Sequence, residues 1–197
     1  MMKKLAGIDY SLTSPAICVW KGTDDNRQFS FDMCDIYYLE TAQRLKRATP
    51  HEILNLHAGI YPEWNTEEQR HDLLSDWAMN IIDGCEVFIE GYAFATSGKS
   101  YVRSVAENSG LLKHKMYKAN QTFTSIPPTV IKKYATGKGN ANKELMCDAF
   151  YEESNTPSDL QKTLRPKSNK LTNPTTDIVD SYWICKYGWR ELLARLN

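Results

Sequence analysis

Short apolar runs closed by polar turns dominate the first forty positions of the chain. Leu5 to Asp9 reads as a strand. Ala16 to Trp20 is a continuous apolar run, the pattern of a strand buried on both faces. Gln28 to Tyr38 alternates through Phe29, Phe31 and Met33, which predicts a third strand. The polar turn from Lys21 to Asn26 makes these three strands antiparallel neighbours. Thr41 to Ile60 shows neither period and is cut by Pro50, so a loop with a short helix is expected there.

From Asn65 the period becomes helical. Asn65 is the expected N-cap, with Glu68 at the capping-box position. Leu73, Leu74, Trp77, Ile81 and Ile82 share a face, and Gly84 ends the helix. Cys85 to Glu90 is the next strand; a preceding helix predicts a parallel crossover beside the first strand. Tyr101 to Ala119 predicts a helix striped by Val102, Val105, Ser109, Leu112 and Met116. That stripe suits either the core or the seam with another helix or a second subunit. Thr122 to Ile126 is a fifth strand, and Pro127-Pro128 starts a short helix over Thr129 to Tyr134. Asn140 is the expected cap of a helix reaching Glu153. Ser154 to Thr175 is polar and Pro-interrupted, a loop expected to order around a partner. A final helix spans Thr176 to Leu196, with Ile178, Tyr182, Cys185, Trp189, Leu192 and Leu196 toward the core. The order predicts an α/β fold: a mixed five-stranded sheet, its first three strands antiparallel, with helices on both faces.

The length, 197 residues, suits one domain over 1–197 with a core that needs no disulfides. Lys+Arg and Asp+Glu are both 24, so net charge indicates no partner, but the distribution is uneven. From Asp24 to Glu90 there are 14 acids and 5 bases; from Gly98 to Met146 there are 9 bases and 2 acids. Lys162, Arg165, Lys167 and Lys170 follow with no acid before Asp177. Such asymmetry fits a polyanion-binding face or a set of solvated helix faces. Five widely spaced cysteines form no CxxC pair and read as buried apolar residues in a reducing compartment. The four histidines have no zinc spacing. Asp9 cuts the apolar run after Lys3 and Lys4, so neither a signal peptide nor a membrane span is expected.

Four carboxylates break the pattern. Asp9 and Glu90 each close an apolar strand; if the strands are parallel neighbours, both acids reach one sheet edge, where α/β sites form. Asp177 and Asp180 are i and i+3 at a helix start and share a face. Singly, Asp9 fits a turn cap, Glu90 a salt-bridged acid and Asp177 plain helix-dipole electrostatics. Together, four mutually repelling acids need cations, and hard oxygen donors favour Mg²⁺ or Mn²⁺. Two such ions can activate water and stabilise the leaving oxygen of a phosphodiester.

The chain resembles the RuvC family of Holliday junction resolvases, within the RNase H-like (retroviral integrase) superfamily. Four passages carry the resemblance: Gly-Ile-Asp9-Tyr-Ser, Val-Phe-Ile-Glu90-Gly, the Gly-rich segment Tyr134-Ala-Thr-Gly137-Lys138-Gly139-Asn140-Ala-Asn-Lys143-Glu, and Thr176-Asp177-Ile-Val-Asp180-Ser. Glu107-Asn-Ser-Gly110-Leu-Leu stands where the family has its central helix glycine. The chain departs from the family in Tyr10-Ser11, where the family has Pro-Gly, and in Gly91, where a polar residue is usual. Ala93 stands where the family places an aromatic that stacks on an unpaired base, with Tyr92 and Phe94 beside it as the candidates for that role. The stretch from Thr41 to Trp64 is also longer than the family's.

The resemblance implies an RNase H-like fold and an endodeoxyribonuclease of recombination and repair that nicks four-way DNA junctions as a homodimer. Asp9, Glu90, Asp177 and Asp180 would hold two Mg²⁺, with Mn²⁺ able to substitute. Lys138, Lys132, Lys133, Lys143, Lys99 and Arg103 are the candidate DNA contacts. A bacterial or phage-infected cytoplasm is the expected setting. Other readings are a flap or branched-DNA nickase, an RNA–DNA hybrid nuclease, and a DNA-structure-binding protein without catalysis. A phosphate-loop nucleotidase is not supported, because Gly137-Lys-Gly lacks the GxxxxGK[ST] pattern. An actin-like ATPase also opens Gly-Ile-Asp, but it needs a second subdomain that this length does not hold.

Overall fold

A computed structural model describes residues 4–22, 28–45, 55–91, 99–156, 159–165 and 167–196. Six strands form one sheet: β1 (Lys4–Asp9), β2 (Ala16–Trp20), β3 (Cys34–Glu40), β4 (Leu56–Ile60), β5 (Cys85–Glu90) and β6 (Phe123–Ile126). The spatial order is β4-β3-β2-β1-β5-β6. β1, β2 and β3 pair antiparallel, while β1 with β5, β5 with β6 and β3 with β4 are parallel. Only β2 runs against the rest, so β1, β3, β4, β5 and β6 all end at one sheet edge. The helices are α1 (Ala42–Leu45), α2 (Glu67–Ile82), α3 (Lys99–Lys118), α4 (Pro128–Thr136), α5 (Lys143–Ser154), α6 (Leu160–Leu164) and α7 (Thr175–Leu196).

The expected α/β class and the antiparallel opening stand, but the count of five strands is corrected to six. The added strand, β4, lies in the segment expected to be a loop. It is an edge strand with only Leu56 buried, so it has no apolar alternation to read. The third strand is also shorter than expected. Residues 31–33 form a 3₁₀ turn, and the strand begins at Cys34. Phe29 and Phe31 are core residues all the same, packed edge-on or tilted against Tyr182 of α7.

Two caps shift. Thr66, not Asn65, caps α2: its hydroxyl accepts from Gln69 N at 3.2 Å, and Gln69 Oε1 accepts from Asn65 N at 2.8 Å. Asn142, not Asn140, caps α5 through Leu145 N at 2.9 Å. The polar stretch before α7 contains the short helix α6, whose Leu160 and Leu164 are buried. On α3, Ser109, Leu112 and Met116 are buried and Val102 is exposed, so the stripe serves the core in its C-terminal half.

Side-chain alternation divides the core in two. Leu5, Ala16, Cys18, Trp20, Ile36, Tyr38 and Phe88 pack with α4 to α7. Ala6, Ile8, Ile17, Val19, Val87 and Ile89 pack with α2 and α3 on the opposite face. The five cysteines are all free and buried, as their spacing suggested. Among the described residues no helix is long and apolar enough to cross a membrane.

Candidate active site

The same alternation decides where the strand-end acids point. Leu5, Gly7 and Asp9 share one face, as do Phe88 and Glu90, and that face is covered by α7. The β1–β5 register pairs Ile8 with Ile89, so one more step sets Asp9 beside Glu90. The approach of α7 depends on Gly7. A Cβ there would lie 2.2 Å from the backbone N of Cys185 and 2.6 Å from the Ser181 carbonyl. The helix therefore rests on bare backbone, and Asp177 and Asp180, one turn earlier, come over the end of β1. Gly188 makes a second close approach; a Cβ there would meet the Phe88 ring at 2.5 Å.

The four acids perturb one another. Burial pushes the Asp9 carboxyl far above the usual range, and the charges of Asp177, Glu90 and Asp180 add to it. Glu90 is pushed up to about 7, by burial and by Asp180 and Asp177, against the pull of Lys132 and Lys143. Burial raises Asp177 to about 7, with Lys143, Ser14 and Asp9 opposing. Burial raises Asp180 to about 6 while Lys143 and Lys132 hold it down. Asp9 and Asp177 are close neighbours, and Asp9 is pushed up by the charge of Asp177. Both are buried, whereas Glu90 and Asp180 keep part of their surface open to solvent.

This donor set suits a hard divalent cation. It is all carboxylate, it is strained by its own charge, and Asp177 Oδ2 is buried with no hydrogen-bond partner. Among the described residues, no three acids, histidines or cysteines close up into a ready cage. The acids lie within electrostatic reach of one another without converging on a point.

Of the six cations expected to meet DNA, two stand at the acids: Lys132 on α4 and Lys143 at the start of α5. Lys143 Nζ donates to Thr176 Oγ1 at 3.3 Å, which fixes it beside Asp177. Lys138 is exposed in the turn between α4 and α5, its backbone N–H donating to Thr136 Oγ1 at 3.2 Å. Lys133 lines a separate groove of about 550 Å³ with Tyr134, Tyr187 and Arg190. Arg103 is exposed on α3. Tyr92 and Phe94 lie outside the described residues, as does the side chain of Lys99.

Three contributions escaped the sequence reading. Ser14, in the turn after Asp9, is buried near Asp177 and draws its carboxyl down, although its hydroxyl makes no hydrogen bond. That turn is braced from α2: Arg70 Nη2 donates to Leu12 O at 2.9 Å and Arg70 Nε to Tyr61 Oη at 2.9 Å, while Tyr61 Oη also donates to Leu12 O. The third is Glu40. It ends β3 at the same edge and on the same face as Asp9 and Glu90, and it is buried. Continuing the alternation Ile36, Tyr38, Glu40 would have found it. It does not join the acid cluster, because Arg165 and Arg44 bind it instead.

This fold is that of the RuvC-type Holliday junction resolvases. The chain is similar to Thermus thermophilus RuvC in complex with Holliday junction substrate, at 14% identity and TM-score 0.59 over 98% of this chain and 96% of that one. It is also similar to the yeast mitochondrial Holliday junction resolvase, at 15% identity and TM-score 0.55, covering 98% of this chain and 79% of that one. The fowlpox virus resolvase bound to junction DNA matches at 14% identity and TM-score 0.50, over 96% and 99%. At these identities the likeness is one of fold. No family model matches the sequence, and no curated protein matches it.

Proposed function

We propose that the chain is a Mg²⁺-dependent endonuclease that cuts branched DNA, with the four-way junction as its first substrate and a homodimer as its working form. The observation that carries this reading is the gathering of Asp9, Glu90, Asp177 and Asp180 at one sheet edge of a resolvase fold. These four residues would hold two Mg²⁺, or Mn²⁺ in their place. Bound there, the metal would supply activation of water and neutralisation of charge on the phosphodiester.

The chain's own groups prepare that chemistry. Asp9 and Asp177, buried side by side, exclude bulk water and concentrate negative charge where a cation is needed. Lys132 and Lys143 keep part of the cluster ionised near neutral pH and present positive charge to an approaching phosphate. The Arg70–Tyr61 brace holds the turn that carries Ser14 against Asp177. Lys138 supplies a sequence-independent phosphate contact. A two-fold dimer matches the symmetry of a four-way junction, so that each subunit nicks one strand of matching polarity.

The test uses end-labelled four-way junction, flap, RNA–DNA hybrid and linear duplex, side by side, with Mg²⁺. The wild-type protein is expected to nick the junction in paired, symmetric positions. Asp9→Asn and Asp180→Asn are expected to bind it without cutting. Full cutting by either variant would overturn the site assignment; preference for another substrate would overturn the junction assignment.

A further inference from the structure

A second groove, of about 480 Å³, opens beside the acid cluster. Arg44, Lys143, Arg165, Ser168, Thr172 and Asn173 line it. Its three cations come from three separate segments: α1, the start of α5 and the turn after α6. Among the described residues no carboxylate lines it. The acid that organises it lies beneath: Glu40, whose side chain is only 6% exposed. Glu40 Oε1 accepts from Thr41 N at 2.8 Å and faces Arg44 Nη1 at 3.5 Å, while Oε2 binds Arg165 Nη2. Arg165 is further fixed by Nη1 donating to Leu164 O at 2.9 Å, and it is largely buried. One buried carboxylate thus holds two guanidiniums, so the groove keeps an excess of positive charge.

We propose that this groove holds a backbone phosphate of the cut DNA strand, away from the scissile one, with Glu40 as the positioning residue that aims Arg165. The proposal rests on the endonuclease reading above. Lys143 belongs both to the groove and to the acid cluster, so a strand leaving the acids on this side enters the groove directly. Asp9 pairs with Ala16 and Ala16 with Tyr38, so Glu40 lies two strands across and two residues further on, about 12 Å from Asp9 at the usual strand spacing and rise. That is a reach of a few nucleotides along one strand. Lys132, on the helix that follows β6, acts on Glu90 and Asp180 and supplies a cation from a separate element. The strand would then be held by the groove as well as at the acids. Two arginines with neighbouring hydroxyl and amide groups suit phosphate oxygens and carry no base readout.

The experiment measures binding of the full-length protein to a fluorescein-labelled four-way junction in EDTA, by anisotropy, from 50 to 200 mM KCl. Arg44→Gln and Arg165→Gln are each expected to lower the slope of log affinity against log salt by about 0.9 and to weaken binding about three- to tenfold at 100 mM. Arg165→Lys should restore most of the slope. Lys118→Gln, at the far end of α3, should leave it unchanged. Glu40→Gln should weaken binding with the slope retained, because it misdirects Arg165 without removing its charge. Arg44 is 58% exposed, so its variant keeps the fold even if that of Arg165 does not. Wild-type slopes in both arginine variants would overturn the groove while leaving the endonuclease reading intact. Tight binding of a polyglutamate peptide that is lost in Arg165→Gln, with the DNA slope unchanged, would overturn it in favour of an acidic peptide. A wild-type protein that binds no DNA would overturn both.

Discussion

Replacing Asp177 with Asn separates two meanings of that residue by the sign of the effect on stability. As a first-turn acid of α7, Asp177 favours the helix dipole, and its neutralisation would cost about 0.3–1 kcal/mol. As a member of a repelling cluster, it raises the free energy of the metal-free fold. Its carboxyl moves from 3.8 to about 7, which at about 1.4 kcal/mol per pH unit is on the order of 4 kcal/mol once ionised. Burial of the charge is the largest part of that shift and repulsion from Asp180 adds to it, while Lys143, Ser14 and Asp9 oppose; the groups titrate together, so removing one charge relieves about 2–4 kcal/mol. Burial and repulsion together outweigh the dipole, and Asp177→Asn should be more stable than the wild type in EDTA at pH 8.

The pH dependence follows from linkage. Between the unfolded carboxylate value near 4 and the folded value near 7, the folded chain holds more protons than the unfolded one. Metal-free stability therefore falls as pH rises through that window, and the penalty is complete above it. Thermal unfolding in EDTA should show the variant higher by roughly 5–10 °C at pH 8, at about 2–4 °C per kcal/mol for this size, and level with or below the wild type at pH 5. Added Mg²⁺ should close the gap at pH 8 by stabilising only the wild type. A variant less stable than the wild type at pH 8 in EDTA, with no pH trend in either, would refute the cluster.

Gly7→Ala places a Cβ more than an ångström inside ordinary contact with the α7 backbone; urea denaturation should show a loss of about 3 kcal/mol, and junction cutting should fall with it. Lys143→Met removes a cation that holds down Asp177, Asp180 and Glu90. The acid limb of the pH–rate profile should then move up by about 0.5–1 pH unit, and a downward move would contradict its role. Arg70→Ala releases the turn after Asp9. Cutting should drop about tenfold or more through misplacement of Ser14 and Asp9, while junction binding in EDTA holds, since Arg70 lies outside the basic grooves.

The acid pairs were legible because each obeys a local period. Asp9 and Glu90 close apolar strands, and Asp177 and Asp180 share a helical face. The antiparallel opening was legible for the same reason. What escaped notice depends on partners far along the chain. β4 is a strand only because β3 offers it an edge, and its own residues carry no apolar alternation. Phe29 and Phe31 look like strand positions, but they enter the core from a turn, because rings on α7 receive them. Glu40 resembles the other strand-end acids in local pattern. Its different fate is decided by Arg165, 125 positions later. The Leu12 turn is likewise braced by Arg70, 58 positions away. The caps missed by one or two positions lie where several hydroxyl and amide side chains compete for the same helix end.

The bare-backbone contact at Gly7 also sets a schedule. The Cys185 thiol reaches Leu5 O across a separation of 180 positions, so the acids gather only once that long loop closes. Asp9 leaves the ribosome first among the four, and Asp180 last. Until α7 docks, the nascent chain exposes an ordinary sheet edge with two acids and no gathered site. Closing so long a loop delays docking behind the local hairpins and helices. The four acids therefore come together late in folding, in one step with the docking of α7 on β1.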